Sequence, residues 1–250
     1  MRVCRPVDRK WRMTMRMLNT GSSAWGVRAR MAIYAKGEAL ERQVELVPPR
    51  GPLNMPDFKA EFRFGRVPTL WLEDGFILQE SEAIMDYFDD LQPDPPLKPD
   101  TILDRARMRM LIRLTDGSVL NHLSILFRSR NPLTRDQAAV DAALLGLADG
   151  YDRLEYHMPG GDYAIAGRLT LADCTLVPTI WLTLDFLPFF DAPSVLLTRP
   201  KLARYWQAVQ RDPIVARIVS EMSIHLRAAR AARIAAEAAE QAQSANMLSR

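Results

Sequence analysis

Three pairs of neighbouring residues carry the groups with which this chain could do chemistry. Ser22 and Ser23 stand where a first strand hands over to a first helix, and backbone N–H groups at such a junction stabilise a developing thiolate. Val67-Pro68 opens a short apolar run. A proline there points to a cis bond that turns the Val67 backbone donor and acceptor toward solvent, where an extended peptide can pair with them. Glu80-Ser81 begins a later helix, with Ser81 expected at the N-cap, where orphan N–H groups suit a ligand carboxylate. Ile84 and not Glu stands three positions after Ser81, so no capping box competes and Glu80 can take a ligand's ammonium group.

Other chemistries have little to build with. The three histidines, at 122, 157 and 225, include no H-x-x-x-H spacing, and the two cysteines, Cys4 and Cys174, lie far apart. We therefore expect no metal centre and no disulfide framework, and a reducing cytoplasm fits. Lys+Arg 33 against Asp+Glu 30 leaves a formal charge of +3, too even a balance to serve as a footprint for nucleic acid or acidic membranes. The longest apolar run, residues 169–190, is interrupted by Asp173, Pro178 and Asp185, so no transmembrane span is expected. Residues 1–12 form a basic overhang without the apolar region of a secretory signal.

The elements that must position these residues fall into two groups. Alternation over residues 13–18 predicts a strand that stops at the turn Asn19-Thr20-Gly21, and Val27, Met31 and Tyr34 recur at helical spacing up to Gly37. Residues 40–47 read as a second strand, 48–56 as a Pro/Gly-rich loop and 57–62 as a short helical turn. Residues 67–79 are two apolar runs around Asp74-Gly75, a hairpin signal. Ser81 then opens a helix with Ile84, Tyr87 and Phe88 on one face. Successive prolines make residues 91–100 a linker, and everything after it reads helical. The expected divisions are a unit at 13–90, the linker at 91–100, an all-helical unit at 101–225 and an Ala-rich helical tail at 226–250.

Gly65-Arg66-Val67-Pro68-Thr69-Leu70, Asp74-Gly75 and Glu80-Ser81-Glu82-Ala83-Ile84 together resemble the glutathione-binding segment of the cytosolic glutathione S-transferase family. Gly167-Arg168-Leu169-Thr170-Leu171-Ala172-Asp173 is similar to the capping motif of that family's C-terminal domain, and the resemblance covers approximately residues 13–217. It implies an α+β chain, with a thioredoxin-like N-terminal domain followed by an all-α helical-bundle domain, usually in a homodimer. The ligands it implies are glutathione, as co-substrate, and a hydrophobic electrophilic small molecule. Ser23 falls on the catalytic serine of the tau- and zeta-like branches, with Ala24 in place of their proline, and Ser22 is its rival if the register shifts by one residue.

By the same resemblance, Val67, Pro68, Glu80 and Ser81 hold glutathione. Arg63-Phe64 stands where the family often has Asn-Pro, so Arg50 and Arg66 are the available cations for the glycine carboxylate. The second substrate is expected between the domains, against Trp25, Met108, Leu111 and Thr115, with Trp181, Phe186, Phe189 and Phe190 nearby. Thr170 and Asp173 form a structural capping box. The implied reaction is attack of the glutathione thiolate on an electrophilic carbon. The alternatives are a glutathione-dependent isomerase, dehalogenase or β-aryl etherase, or a transferase-like protein that binds ligands without catalysis.

Overall fold

The computed structural model describes residues 15–49 and 65–248, with side chains through residue 232. The basic overhang, most of the 48–56 loop, the helical turn at 57–62 and Arg50 lie outside the described residues.

The first domain is a four-stranded sheet, β1 (Met15–Leu18), β2 (Val44–Val47), β3 (Thr69–Trp71) and β4 (Ile77–Gln79), in the spatial order β2-β1-β3-β4. β1 pairs parallel with β2 from Met15 opposite Val44 to Leu18 opposite Val47, and antiparallel with β3. The Asp74-Gly75 hairpin forms as expected, with Gly75 at φ +87° where a side chain would be strained. Residues 40–47, expected to be one strand, divide in two. Gly37 at φ +86° ends α1 (Ala24–Lys36), and its carbonyl at once accepts from Leu40 N and Glu41 N. That starts the single turn α2 (Glu38–Glu41), buries Leu40 and leaves only four residues to pair with β1.

α1 is buried almost all round, because it packs on α3 (Ser81–Leu91) on one side and on the core helix of the second domain on the other. The stripe of Val27, Met31 and Tyr34 therefore understates it. A helix in that position can keep its charges only by pairing them. Arg28 pairs with Asp116, Arg30 with Glu221 at 3.1 Å, and Lys36 with Asp89.

The second domain contains α4 (Ile102–Leu114), a π-helical segment (Thr115–Leu120), α5 (Asn121–Arg128), α6 (Gln137–His157), α7 (Leu171–Phe186), α8 (Pro200–Val209) and α9 (Pro213–Leu248). Residues Leu171–Phe190 have the length and, at a mean hydropathy of 1.2, the apolar composition of a membrane-crossing helix despite Asp173, Pro178 and Asp185. Because 78% of the run is buried inside the fold, it is the core helix of this domain. α9 runs unbroken through the expected boundary at 225, so the Ala-rich segment continues a domain helix.

The 91–100 linker is a packed strap between the two domains. Lys36 Nζ donates to Pro95 O at 2.6 Å, Leu97 N donates to Asp89 Oδ1 at 2.8 Å, and Arg168 donates to the carbonyls of Pro96 and Lys98.

Candidate functional site

Ser23 is the N-cap of α1. Its Oγ accepts from Gly26 N at 3.4 Å, and its own N–H donates to Thr20 Oγ1 at 3.3 Å. The cap bond orients the hydroxyl and uses only a lone pair, so the Ser23 proton remains available to a ligand. The turn is braced from three directions. Buried Asn19 donates through Nδ2 to Gly26 O at 2.7 Å, Arg30 donates to Gly21 O at 3.3 Å, and the His225 ring of α9 lies directly over Gly21. A Cβ at Gly26 would come within 3.0 Å of Asn19 Oδ1, which is why a helix-weakening glycine stands there.

Val67–Pro68 is cis, as expected from its place at the head of β3. The expected N-cap at Ser81 is displaced by one residue. α3 already includes Ser81, and Glu80 takes the cap position at φ 67°, ψ 115°, with Ile84 N donating to its carbonyl at 3.0 Å. A non-glycine residue at positive φ is sterically costly, and such backbone clusters where a ligand is held. The turn leaves Glu80 exposed and Ser81 buried at the helix mouth.

These segments meet in one cleft of about 670 Å³. Thr20, Ser22, Ser23, Arg66, Val67, Pro68, Gln79, Glu80 and Ser81 line its polar half, and Trp25 lines the cleft as well. Leu120, Leu123 and Phe127 from the π segment and α5, Leu182 and Phe186 from α7, and Leu226 from α9 make its other half apolar.

The apolar wall differs from the expected second-substrate wall. Met108, Leu111 and Thr115 are 2%, 0% and 0% exposed, and the Thr115 hydroxyl donates to Leu111 O at 2.8 Å, so all three belong to the core. Their stripe, on α4 and the first residue of the π segment, faces inward, and the helix surface that reaches the cleft begins only at Leu120, the last residue of the π segment. Trp25 does line the cleft. Of the four expected aromatics only Phe186 does so, while Trp181 and Phe190 pack against the core and Phe189 lies 6.0 Å from the Phe186 ring. Leu120, Leu123 and Phe127 were missed, although their i, i+3, i+7 spacing was legible. Leu226 was missed, although it continues the stripe of Val215, Ile218 and Met222 at helical spacing.

The two domains are locked beside the cleft. Fully buried Arg28 donates to both oxygens of Asp116, at 2.5 and 3.2 Å, which ties α1 to the π segment. The neighbouring Glu82 carboxyl is raised above its usual pKa, first by burial and then by the Asp116 charge. Asp116→Ala would leave the Arg28 charge buried without this partner. We expect it to lower the unfolding free energy by about 2 kcal/mol in denaturant titration, a value softened by the partial exposure of Asp116.

Comparison with known proteins agrees with this architecture. Residues 22–91 match the family described as glutathione S-transferase, N-terminal domain, and residues 118–213 match glutathione S-transferase, C-terminal domain. The chain is 32% identical over 162 residues to the glutathione S-transferase-like protein LUC7 of a Fusarium species, covering 64% of this chain and 73% of that one. It is 27% identical over 164 residues to maleylacetoacetate isomerase of Mus musculus, covering 64% and 72%. Among solved structures, a glutathione S-transferase of Methylobacterium radiotolerans in complex with glutathione sulfonate superposes with a TM-score of 0.69 at 21% identity, covering 82% of this chain and 94% of that one.

Proposed function

We infer what the cleft does from one premise: the chain belongs to the glutathione S-transferase family. Its activity is accordingly glutathione-dependent. The specific reading is conjugation, in which glutathione lies along the polar half of the cleft and its thiolate attacks an electrophilic carbon held against the apolar half.

The observation that carries this reading is the Ser23 hydroxyl, fixed at the N-cap of α1 with its proton uncommitted, in a cleft lined by both polar and apolar side chains. A hydroxyl bond and the positive end of a helix both favour sulfur as the anion. Lowering a thiol pKa by about 2 units corresponds to about 2.7 kcal/mol of differential stabilisation, enough to make much of the bound thiol ionised at neutral pH. The glutathione backbone pairs along Val67 beside Pro68, its glutamyl carboxylate meets the α3 mouth at Ser81, and its ammonium meets Glu80. Arg66 is the cation that the polar side of the described cleft offers to the glycine carboxylate. In the reaction a carbon–sulfur bond forms and the leaving group departs with the electron pair of its own bond to carbon.

The similarity to maleylacetoacetate isomerase favours a second reading, in which the same thiolate adds reversibly to a conjugated double bond and is expelled after rotation. A cytoplasmic homodimer belongs to the same proposal, and light scattering showing a monomer would remove the dimer from it.

Titration of glutathione at neutral pH, followed by calorimetry and by ultraviolet absorbance of the thiolate, tests the reading. Binding accompanied by thiolate absorbance is the expected result, and absence of both defeats it. Glu80→Gln is expected to raise the KM for glutathione about tenfold with a smaller change in kcat, because it removes one charge-assisted contact to the unreactive end of the peptide.

A further inference from the structure

We propose that the second substrate carries an acidic group, and that Arg128 reads it. The inference rests on the transferase reading above and specifies the chemical class of the electrophile. Among the described residues, eight of the helical domain line the cleft, and Arg128, the last residue of α5, is the one charged side chain among them. Ser124, one turn earlier on the same helix, already donates its hydroxyl proton to Leu120 O at 2.8 Å. The strongest donors that this wall offers to a ligand are therefore the guanidinium N–H groups of Arg128.

The arginines around the wall differ in how they are engaged. Arg230 pairs with Asp185 at 2.5 Å and lies over the Phe189 ring, Arg130 lies 3.9 Å from the centre of the Phe127 ring, and Arg135 lies over Phe190. Arg128 has neither an acidic nor an aromatic partner among the described residues. The rim beside the apolar pocket is thus net positive, with one guanidinium left to form a bidentate bond. A carboxylate on the far side of an aromatic or unsaturated electrophile fits this arrangement. The apolar body lies on Phe127 and Phe186, the reacting carbon faces Ser23, and the acid reaches Arg128. Glu80, the acidic residue of the same cleft, stands on the peptide side and does not oppose it.

Arg128 also ends α5, where a cation complements the helix dipole. That role predicts a change in stability and no change in substrate preference, so the test reads preference. A chlorodinitrobenzoate and its methyl ester present the same carbon and the same chloride leaving group. The kcat/KM of each is divided by its uncatalysed rate with glutathione, and the ratio of acid to ester is compared across variants. We expect a ratio of about tenfold for the wild type, near one for Arg128→Ala, intermediate for Arg128→Lys and below one for Arg128→Glu. Arg153→Ala, an exposed α6 residue paired with Asp149, should leave the ratio at its wild-type value. A wild-type ratio near one, or a ratio that Arg128→Ala does not move, overturns the inference while leaving the transferase reading intact. Turnover of neither compound defeats both.

Discussion

Replacing Ser23 with alanine is expected to lower kcat/KM for conjugation about 10²- to 10³-fold at neutral pH, the effect of removing one preorganised donor from a developing or resting anion. Ser22→Ala should cost no more than about threefold, because the cap bond to Gly26 N orients the Ser23 hydroxyl. The pH profile separates this role from a structural one. If the hydroxyl holds the sulfur ionised, the Ser23→Ala rate should rise with pH through the ordinary thiol range and approach the wild type once the free thiol ionises unaided. A variant that is merely misfolded would stay slow at every pH. Loss of activity in Ser22→Ala with retention in Ser23→Ala would transfer the role to Ser22. Equal activity of both variants with the wild type would remove the hydroxyl from the mechanism.

Asp173→Ala is expected to lower the unfolding free energy by about 4 kcal/mol. The carboxylate is fully buried and accepts from Ala164 N and Thr170 N, each at 2.8 Å, and from Thr170 Oγ1 at 2.9 Å. Truncation strands three donors, each costing on the order of 1–3 kcal/mol before any relaxation. The capping box starts α7, which brings Leu182 and Phe186 to the cleft, so the apolar wall should loosen with it.

Burial pushes the Asp173 carboxyl up from 3.8 to about 6, against the hydrogen bonds that favour its charged form. Since the folded value is the higher one, the contribution of this group to stability is complete below about pH 4 and lost as pH rises through about 6. Asp173→Asn has no such titration. The stability advantage of the wild type over Asp173→Asn should therefore be larger at pH 4 than at pH 7, by up to about 3 kcal/mol. Denaturant midpoints of the two proteins at both pH values measure it, and an advantage that grows with pH would contradict the assignment.

Much of the polar half of the cleft was legible because its signals are local. A cis Val67–Pro68, a Gly75 turn and a Ser23 cap each depend on residues within a few positions of one another. The Ser81 cap was misplaced by one residue because local rules favour a serine cap, whereas the chain turns at Glu80 in a conformation that side-chain propensity argues against. Leu40 looked like strand for a similar reason: its apolar character suited either element, and the turn that starts at the Gly37 carbonyl took it into α2.

The sequence by itself determined the two-domain order, the hairpin, the proline-rich linker, the capping box and, of the polar cleft residues, Ser22, Ser23, Arg66, Glu80 and Ser81. All of these follow from steric and hydrogen-bonding preferences acting over a few residues. The tertiary structure alone decided that Met108, Leu111 and Thr115 are core, that Leu120, Phe127 and Leu226 form the wall, and that Arg28 finds Asp116 88 residues away. Periodicity marks which face of a helix is apolar. Whether that face meets the core or an open cleft depends on how the π segment and α9 pack, and no local rule encodes that packing.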